Sequence, residues 1–457
     1  MLDRDLTEEY VTEVLAFIGL DDPGAGQLAT DTWMSLTAGE GPAMLSLAGL
    51  QNWLWWLLPK RSHSDDYDYW VDSAAAAAVL FDRLGEARYA EVCRSETTAI
   101  VFEAWRQSRD KGLAETKKAL AASPVNPPDI EDFAWGSIFG VWEGEAQNAV
   151  ERELEHALDD GRLDPSARTW RRTAAGICLE VLDTAQLSQA GQSWRSLVYS
   201  ERAAGWATDH RLPANVNGAR EQAAAKFASP PPEPAIEVMR GSLEPLTWLA
   251  NACADGVTLT ASGYLPRALV LEITEHFDWW IWEKPPHSEA DVHQLLRVHE
   301  AARKLGILRK QGRKLTTTKA GRRMDENLAA WWPRLVLLGK GAAAYSDAVI
   351  EHVALALIDV ETIEVDQLQE RVAPLLVNQG WSSPDGPVTE TEHGHSIYRL
   401  FQPWQIWGFI DVESARWGPT PEGNRQISPS TVTVTSAGRA ACALWLHSQI
   451  TSPRTQL

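Results

Sequence analysis

Two short stretches of the sequence share one pattern, and they decide how its C-terminal half folds. Leu315–Arg322 has the sequence LTTTKAGR, Val432–Arg439 has the sequence VTVTSAGR, and they align without a gap with five identical residues. Their β-branched residues favour a strand, the last threonine of each can cap a helix, and the Ala-Gly pair lets that helix cross the sheet closely. We therefore expect segments 242–335 and 346–447 to be two copies of one fold.

The elements predicted before each stretch follow the same order. In segment 242–335 the pattern indicates a helix, a short strand, two helices, a strand, a tight turn at Gly312 and another strand before the closing helix. In segment 346–447 the same elements are predicted, with a long wing over 411–430. This order resembles tandem winged-helix modules. The predicted fold class is mainly α: an N-terminal all-helical domain followed by two winged-helix (α+β) modules.

A proline-rich stretch divides the chain by composition. Residues 229–235 contain four prolines in seven positions, which cannot continue a helix and favour an extended linker. We predict an acidic all-helical domain over 1–228, where 36 acidic side chains outnumber 21 basic ones. After the linker, the first winged-helix module is expected over 236–340 and the second over 341–457.

The N-terminal half is predicted to be helical throughout. An alanine-rich run favours a helix over 67–84, and further helices are expected over 87–108 and 129–139. The most apolar stretch, Leu45–Leu58, fits a buried core helix better than a peripheral membrane helix, because Gln51 and Asn52 interrupt it and the surrounding domain is acidic. No membrane partner is expected.

Length and composition restrict the class of protein. The chain has 457 residues, a net charge of −20 and no uninterrupted apolar run of about 18 residues, so a transmembrane helix is not expected. Its acidic first residues differ from a secretory signal, and its four cysteines lie far apart, which predicts a cytoplasmic location. Arginine outnumbers lysine 31 to 11, a bias that we associate with high-GC bacteria such as actinobacteria.

Tryptophan is unusually frequent, with 22 residues. Many of them cluster, at Trp53–Trp56, Trp279–Trp282 and Trp331–Trp332. Because an indole combines a large apolar body with one N–H donor, it suits seams between helices and contacts with a partner. We expect most of these residues to fill internal seams. A protein partner on Trp-rich surfaces and a dedicated ligand platform are the alternatives.

Motifs for catalysis are absent from the sequence. It contains no phosphate-binding GxxxxGK[ST] loop, no HExxH and no GxSxG. His393 and His395 could each bind a metal, but no nearby cysteine or third histidine completes a site, so a solvent-exposed turn is the favoured interpretation. We expect no cofactor, no metal and no enzymatic activity.

A strongly basic segment lies inside the first predicted module. Residues 297–323 carry ten basic side chains and one acidic one. In winged-helix proteins the third helix often enters a major groove while the wing touches phosphate, so the resemblance implies contact with duplex DNA through this segment. The residues predicted to bind nucleic acid are Gln294, Arg297, Lys304, Arg309, Lys310, Arg313, Lys314, Lys319, Arg322 and Arg323.

Two functions therefore compete. One is a non-catalytic regulatory protein whose first winged-helix module contacts nucleic acid through a basic helix and wing. The other is a protein–protein scaffold or adaptor subunit of a larger complex with structural winged-helix modules, in which the basic face docks an acidic surface. The second module favours the adaptor, because residues 341–457 carry six basic and thirteen acidic side chains. An enzyme with a scattered site is a third, weaker hypothesis.

Overall fold

The computed structural model describes most of the chain as helices joined by short loops, with small antiparallel sheets. The described residues are 6–61, 67–130, 133–136, 140–184, 191–208, 212–280, 282–384, 386–413, 416–419, 425–428 and 430–453. The chain divides into two compact units. The first comprises Met1–Glu201 and Pro453–Leu457, and the second comprises Arg202–Ser452.

The described part of the first unit consists of helices and connecting loops. Its helices are α1 Glu8–Asp21, α2 Pro23–Thr37, α3 Leu47–Asn52, α4 Leu58–Arg61, α5 Tyr67–Leu84, α6 Ala87–Arg94, α7 Glu96–Gln107, α8 Arg109–Ala122, α9 Val141–Asp159, α10 Trp170–Asp183 and the first part of α11 Trp194–Ala207.

Two apolar clusters form the core of this unit. Leu50 and Phe81 are fully buried in the cluster built by the first eight helices, and Leu154 is fully buried in the cluster built by α9–α11. Glu155 of α9 links the two, because its carboxylate accepts a hydrogen bond of 2.6 Å from the Tyr89 hydroxyl. A charge-assisted bond of this kind is among the stronger contacts that position one helix on another.

The apolar stretch Leu45–Leu58 is helical and largely buried, as predicted. A π-helical turn at Trp53–Leu57 connects α3 to α4. Leu54 and Trp55 point into the core, and the Trp55 indole donates a hydrogen bond of 2.9 Å to the Thr98 hydroxyl. None of the helices in the described residues is long and apolar enough to cross a membrane.

Two predicted helices of this unit differ in the structure. The helix expected over 87–108 is broken at Ser95, which is extended and uses its hydroxyl to cap α7 by accepting from the Thr98 backbone N–H. The helix expected over 129–139 is wrong for its described residues. Ile130 pairs with Phe133 in an isolated bridge.

The second unit contains the two repeated segments, preceded by the end of α11 and by α12 Ala214–Phe227. The first segment consists of α13 Ile236–Ala252, β1 Val257–Thr258, α14 Arg267–His276, a short 3-10 helix Glu289–Asp291, α15 His293–Lys304, β2 Leu308–Gln311, β3 Lys314–Thr317, a second 3-10 helix Gly321–Glu326 and α16 Leu328–Val336.

The second segment repeats this order with additions. It consists of α17 Ala344–Leu357, β4 Thr362–Glu364, α18 Val365–Asn378, the two-residue strands β5 Ser382–Ser383 and β6 Gly386–Pro387, α19 Glu390–Ile406, β7 Ile410–Glu413, the hairpin β8 Arg416–Pro419 with β9 Arg425–Ser428, β10 Thr431–Val434 and α20 Ser436–Ile450. The long wing predicted over 411–430 thus contains strands of its own.

Each segment carries a three-stranded antiparallel sheet with the same order. The strand before the closing helix is central in both, giving β1-β3-β2 and β4-β10-β7. Leu315 pairs with Val257 in the first sheet, and Val432, its counterpart in the aligned stretches, pairs with Ile363 in the second. The repeat predicted from the sequence is therefore present in the strand order and in the register.

The aligned stretches close both sheets with the same hydrogen bonds. The Thr318 hydroxyl donates to the Gly306 carbonyl at 2.8 Å and accepts from the Gly321 N–H at 3.0 Å. The Thr435 hydroxyl donates to the Gly408 carbonyl at 2.6 Å and accepts from the Gly438 N–H at 3.0 Å. One threonine in each segment thus ties the strand before it to the start of the helix after it.

The proline-rich stretch 229–235 lies inside the second unit, while the division between units falls at Glu201 and Arg202. The predicted all-helical domain over 1–228 therefore extends past this division. α12 packs on α17 and α20, where a buried ion pair joins Arg220 to Glu351. The carbonyl of Phe227 also lies 2.7 Å from the His447 ring nitrogen. These contacts depend on residues far apart in sequence, which a change in composition does not reveal.

Candidate nucleic-acid interface

The basic segment folds into a β-hairpin and the helix before it. In the β2–β3 hairpin Arg309 pairs with Thr316 and Gln311 pairs with Lys314, with Gly312 between the strands at a φ of +61°. That left-handed conformation suits glycine, which has no Cβ to clash. Because Leu308 and Leu315 face the core, alternation places Arg309 and Lys314 on the outer face of the hairpin.

Five of the predicted binding residues already have partners within the chain. Their contacts are Arg297 with Glu300 at 3.7 Å, Lys304 with Glu300 at 2.9 Å, Arg313 with the Leu259 carbonyl at 2.8 Å, Arg322 with the Ala254 carbonyl at 3.1 Å and Arg323 with Glu326 at 2.6 Å. The ion pair with Lys304 lowers the pKa of Glu300, so this carboxylate offsets part of the positive charge on α15.

Four further predicted residues are exposed as well: Arg309, Lys310, Lys314 and Lys319. Their side chains make no ion pair or hydrogen bond with the described residues. We call these four residues the hairpin cluster. Arg309, Lys310 and Lys314 lie on the paired strands of the hairpin, which give their charges a rigid base, and Lys319 lies two residues after β3. An unpaired group of cations in a protein of net charge −20 is suited to bind a polyanion.

A buried polar pair fixes the start of α15. Glu289 is fully buried, and its carboxylate lies 2.7 Å from the His299 ring nitrogen and accepts a hydrogen bond of 2.6 Å from the Leu265 N–H. A capping contact precedes the helix, because Asp291 accepts from the Ser288 N–H at 2.9 Å. α15 is therefore held at its beginning and its middle, and its outer face has a fixed direction.

That outer face lies against the second segment. Gln294 lines a cavity of about 260 Å³ together with Gln402 and Gln405 of α19. Arg297 and Lys304 line a second cavity, of about 240 Å³, on which α19 and α20 also border. The side of α15 that the sequence assigned to a DNA groove thus faces α19, its counterpart in the other segment.

The sequence contained a signal for this contact. Leu400 and Trp404 recur four residues apart on α19, and such a spacing places two large apolar side chains on one face of a helix. What the spacing could not tell is which surface covers that face.

In the second segment, the helix that corresponds to α15 is α19, and it carries the two histidines that the sequence singled out. The expected exposed turn at His393 and His395 is wrong, because both lie within α19. His393 is fully buried and its Nδ1 lies 2.8 Å from the Tyr345 hydroxyl, while burial lowers its pKa. His395 is exposed. Among the described residues, no group of three or more His, Cys, Asp or Glu side chains is placed to hold a metal ion.

The cysteines and tryptophans are placed much as expected. All four cysteines are buried and free of disulfides. Trp331 and Trp332 are buried in the core that runs through both repeated segments, where Trp332 packs edge-on against Phe409. Trp282 is 69% exposed, in a loop of the first segment. Internal seams therefore account for much of the tryptophan content, and Trp282 leaves one indole for a contact outside the chain.

Comparison with known families matches part of the chain. Residues 238–330 match the family model of the Y4jL N-terminal domain. The matched residues run from α13 into α16 and include the whole hairpin cluster. Searches of curated proteins and of solved structures found no match.

Proposed function

We propose that this protein is a non-catalytic, nucleic-acid-binding regulatory protein built on two winged-helix modules. In this proposal segment 242–335 is the first module and its β2–β3 hairpin is the wing. The observation that carries the proposal is the hairpin cluster, whose four cations are exposed and without acidic partners among the described residues. Phosphate contacts by such side chains supply most of the sequence-independent affinity for DNA.

The proposed mode differs from groove reading by the third helix. Gln294 and Arg297 line cavities on which α19 also borders, so the second segment occupies part of the face of α15 that would enter a major groove. We therefore propose that the hairpin cluster binds the phosphate backbone of duplex DNA with little preference for sequence. Arg313 and Arg322, whose guanidinium groups bind backbone carbonyls, hold the hairpin and its neighbouring loop in place.

Replacement of the hairpin cluster tests the proposal. In a variant with Arg309, Lys310, Lys314 and Lys319 changed to alanine, we expect the affinity for a short duplex to fall. The slope of log K against log salt should flatten by about 0.9 for each phosphate that the variant no longer neutralises. Fluorescence anisotropy over a series of salt concentrations measures both quantities.

A matched control removes the same number of positive charges from a different surface of the protein. Arg83, Arg94, Arg106 and Lys118 are exposed residues of the first unit and can be changed to alanine together. Equal losses of affinity in the two variants would mean that net charge alone drives binding. No measurable affinity of the wild-type protein at low salt would overturn the DNA proposal.

The adaptor function is the second candidate, favoured by a specific observation. The face of α15 that would read DNA lies beside α19, so the pair of modules presents a joint surface instead of two separate readers. In this case the hairpin cluster binds an acidic protein surface. The adaptor function would be favoured if the wild type retains a protein from the native host that the hairpin-cluster variant releases. Neither form should then bind DNA.

A further inference from the structure

The cavity between α15, α19 and α20 has the composition of a ligand site. Its volume is about 240 Å³, and its apolar wall includes Leu400, Trp404, Trp407 and Trp445. Binding sites for small molecules combine such apolar and aromatic walls with a few polar groups. The volume lies below the range of about 300–1,000 Å³ common for drug-sized ligands, so a smaller molecule is required.

Two cations stand at the rim of this cavity. The side chains of Arg297 and Lys304 are 51% and 60% exposed while also lining the cavity. Glu300 lies between them on α15 and offsets one of the two positive charges. The rim therefore has a net charge of about +1, which favours a ligand with a single negative charge.

A buried hydrogen-bond donor in the wall has no acceptor. Trp445 of α20 is 3% exposed and lines the cavity, and its indole N–H makes no hydrogen bond with the described residues. This nitrogen is itself buried away from the cavity surface, so Trp445 contributes only apolar ring atoms to the wall.

We propose that this cavity binds a small aromatic carboxylate. Its ring packs among Trp404, Trp407 and Trp445, and its carboxylate binds Arg297 and Lys304 at the rim. Because the ligand contacts α15, α19 and α20 together, its binding stabilises the contact between the two segments. This inference does not depend on DNA binding.

Calorimetric titration of the full chain with 4-phenylbutyrate tests the proposal, with the neutral 4-phenylbutanamide as a matched probe. We expect the carboxylate to bind about tenfold more tightly than the amide at low salt. In the variant R297Q/K304Q this preference should disappear, because the charged rim is gone while the apolar wall remains.

The variant R309Q/K310Q is the control, since it removes two cations from the hairpin and leaves the cavity unchanged. It should bind 4-phenylbutyrate as the wild type does. The proposal is overturned if the wild type shows no binding up to about 10 mM. It is also overturned if R297Q/K304Q keeps the preference for the carboxylate, which would place the probe elsewhere.

Discussion

The two repeated segments of the second unit share a backbone motif and differ in their surfaces. Thr318 and Thr435 make the same pair of hydrogen bonds, to a carbonyl before the sheet and from a glycine N–H after it. In contrast, the first hairpin carries exposed cations, whereas residues 341–457 hold thirteen acidic and six basic side chains. The backbone motif needs particular residues at a few positions, and the surface around it is free to differ.

The comparison extends to the helices before each hairpin. α15 and α19 occupy the same place in their segments, and each presents one face to the other. α15 contributes charged side chains to this contact, while α19 contributes Leu400 and Trp404. A duplicated element can thus serve as partner to its own copy.

The largest effect is expected where both segments depend on a glycine. A Cβ at Gly438 would overlap the Phe409 carbonyl oxygen, and one at Gly321 would lie 2.6 Å from the Ile307 carbonyl oxygen. Gly438→Ala should lower the free energy of unfolding by about 3 kcal/mol or more, and Gly321→Ala by about 2 kcal/mol. Gly241 of α13 faces open space, so Gly241→Ala should stabilise by up to about 1 kcal/mol. Urea titration followed by circular dichroism measures the free energy of unfolding of all three variants. Similar unfolding midpoints for Gly438→Ala and Gly241→Ala would refute the shared motif.

The attachment of α12 to the second segment gives the next effect. Glu351→Gln leaves the Arg220 charge buried without its carboxylate, so we expect a loss of about 3 kcal/mol in the free energy of unfolding. Asp359→Asn is the matched control, because it breaks the exposed ion pair of Asp359 with Lys226 on the same two helical regions. That change should cost less than about 1 kcal/mol. Equal losses in thermal or urea unfolding would show that α12 is not held by the buried pair.

The junction between the segments should respond to pH. Lys340 donates to Ser448 and Ser452, and desolvation lowers its pKa from 10.5 to about 8. The unfolded chain therefore binds more protons than the folded one between these values, so folding becomes more favourable as pH rises. We expect the free energy of unfolding of the wild type, relative to Lys340→Met, to increase by about 1.5 kcal/mol between about pH 8 and pH 9.5. A difference that is flat or falls over this range would contradict the lowered pKa.

The smallest effects separate structural from exposed cations on the hairpin. Arg313 donates from two nitrogens to the Leu259 carbonyl, so Arg313→Ala should cost about 1 kcal/mol of stability. Arg309→Ala removes an exposed side chain without a partner among the described residues and should change stability by less than about 0.5 kcal/mol. Parallel urea titrations compare the two. A larger loss of stability for Arg309→Ala than for Arg313→Ala would show that Arg309 stabilises the hairpin and does not belong to the binding cluster.

The repeat could be predicted from the sequence because its residues act locally. The capping bond that each of Thr318 and Thr435 accepts comes from a glycine only three residues later, and these glycines permit a close approach that any side chain would block. The charge of segment 297–323 was likewise visible as composition. The sequence alone therefore determined the strand–helix closure, the order of the elements and the presence of a basic hairpin.

The tertiary structure decided which of these features are accessible. The contact between α15 and α19, the docking of α12 through Arg220 and Glu351, and the cavity lined by Trp445 join residues that lie about 100 or more positions apart. Burial of apolar surface and pairing of buried charges set such contacts, and both depend on which faces meet after the chain has folded. Helical spacing shows that a face is apolar or charged, but only packing selects what covers it.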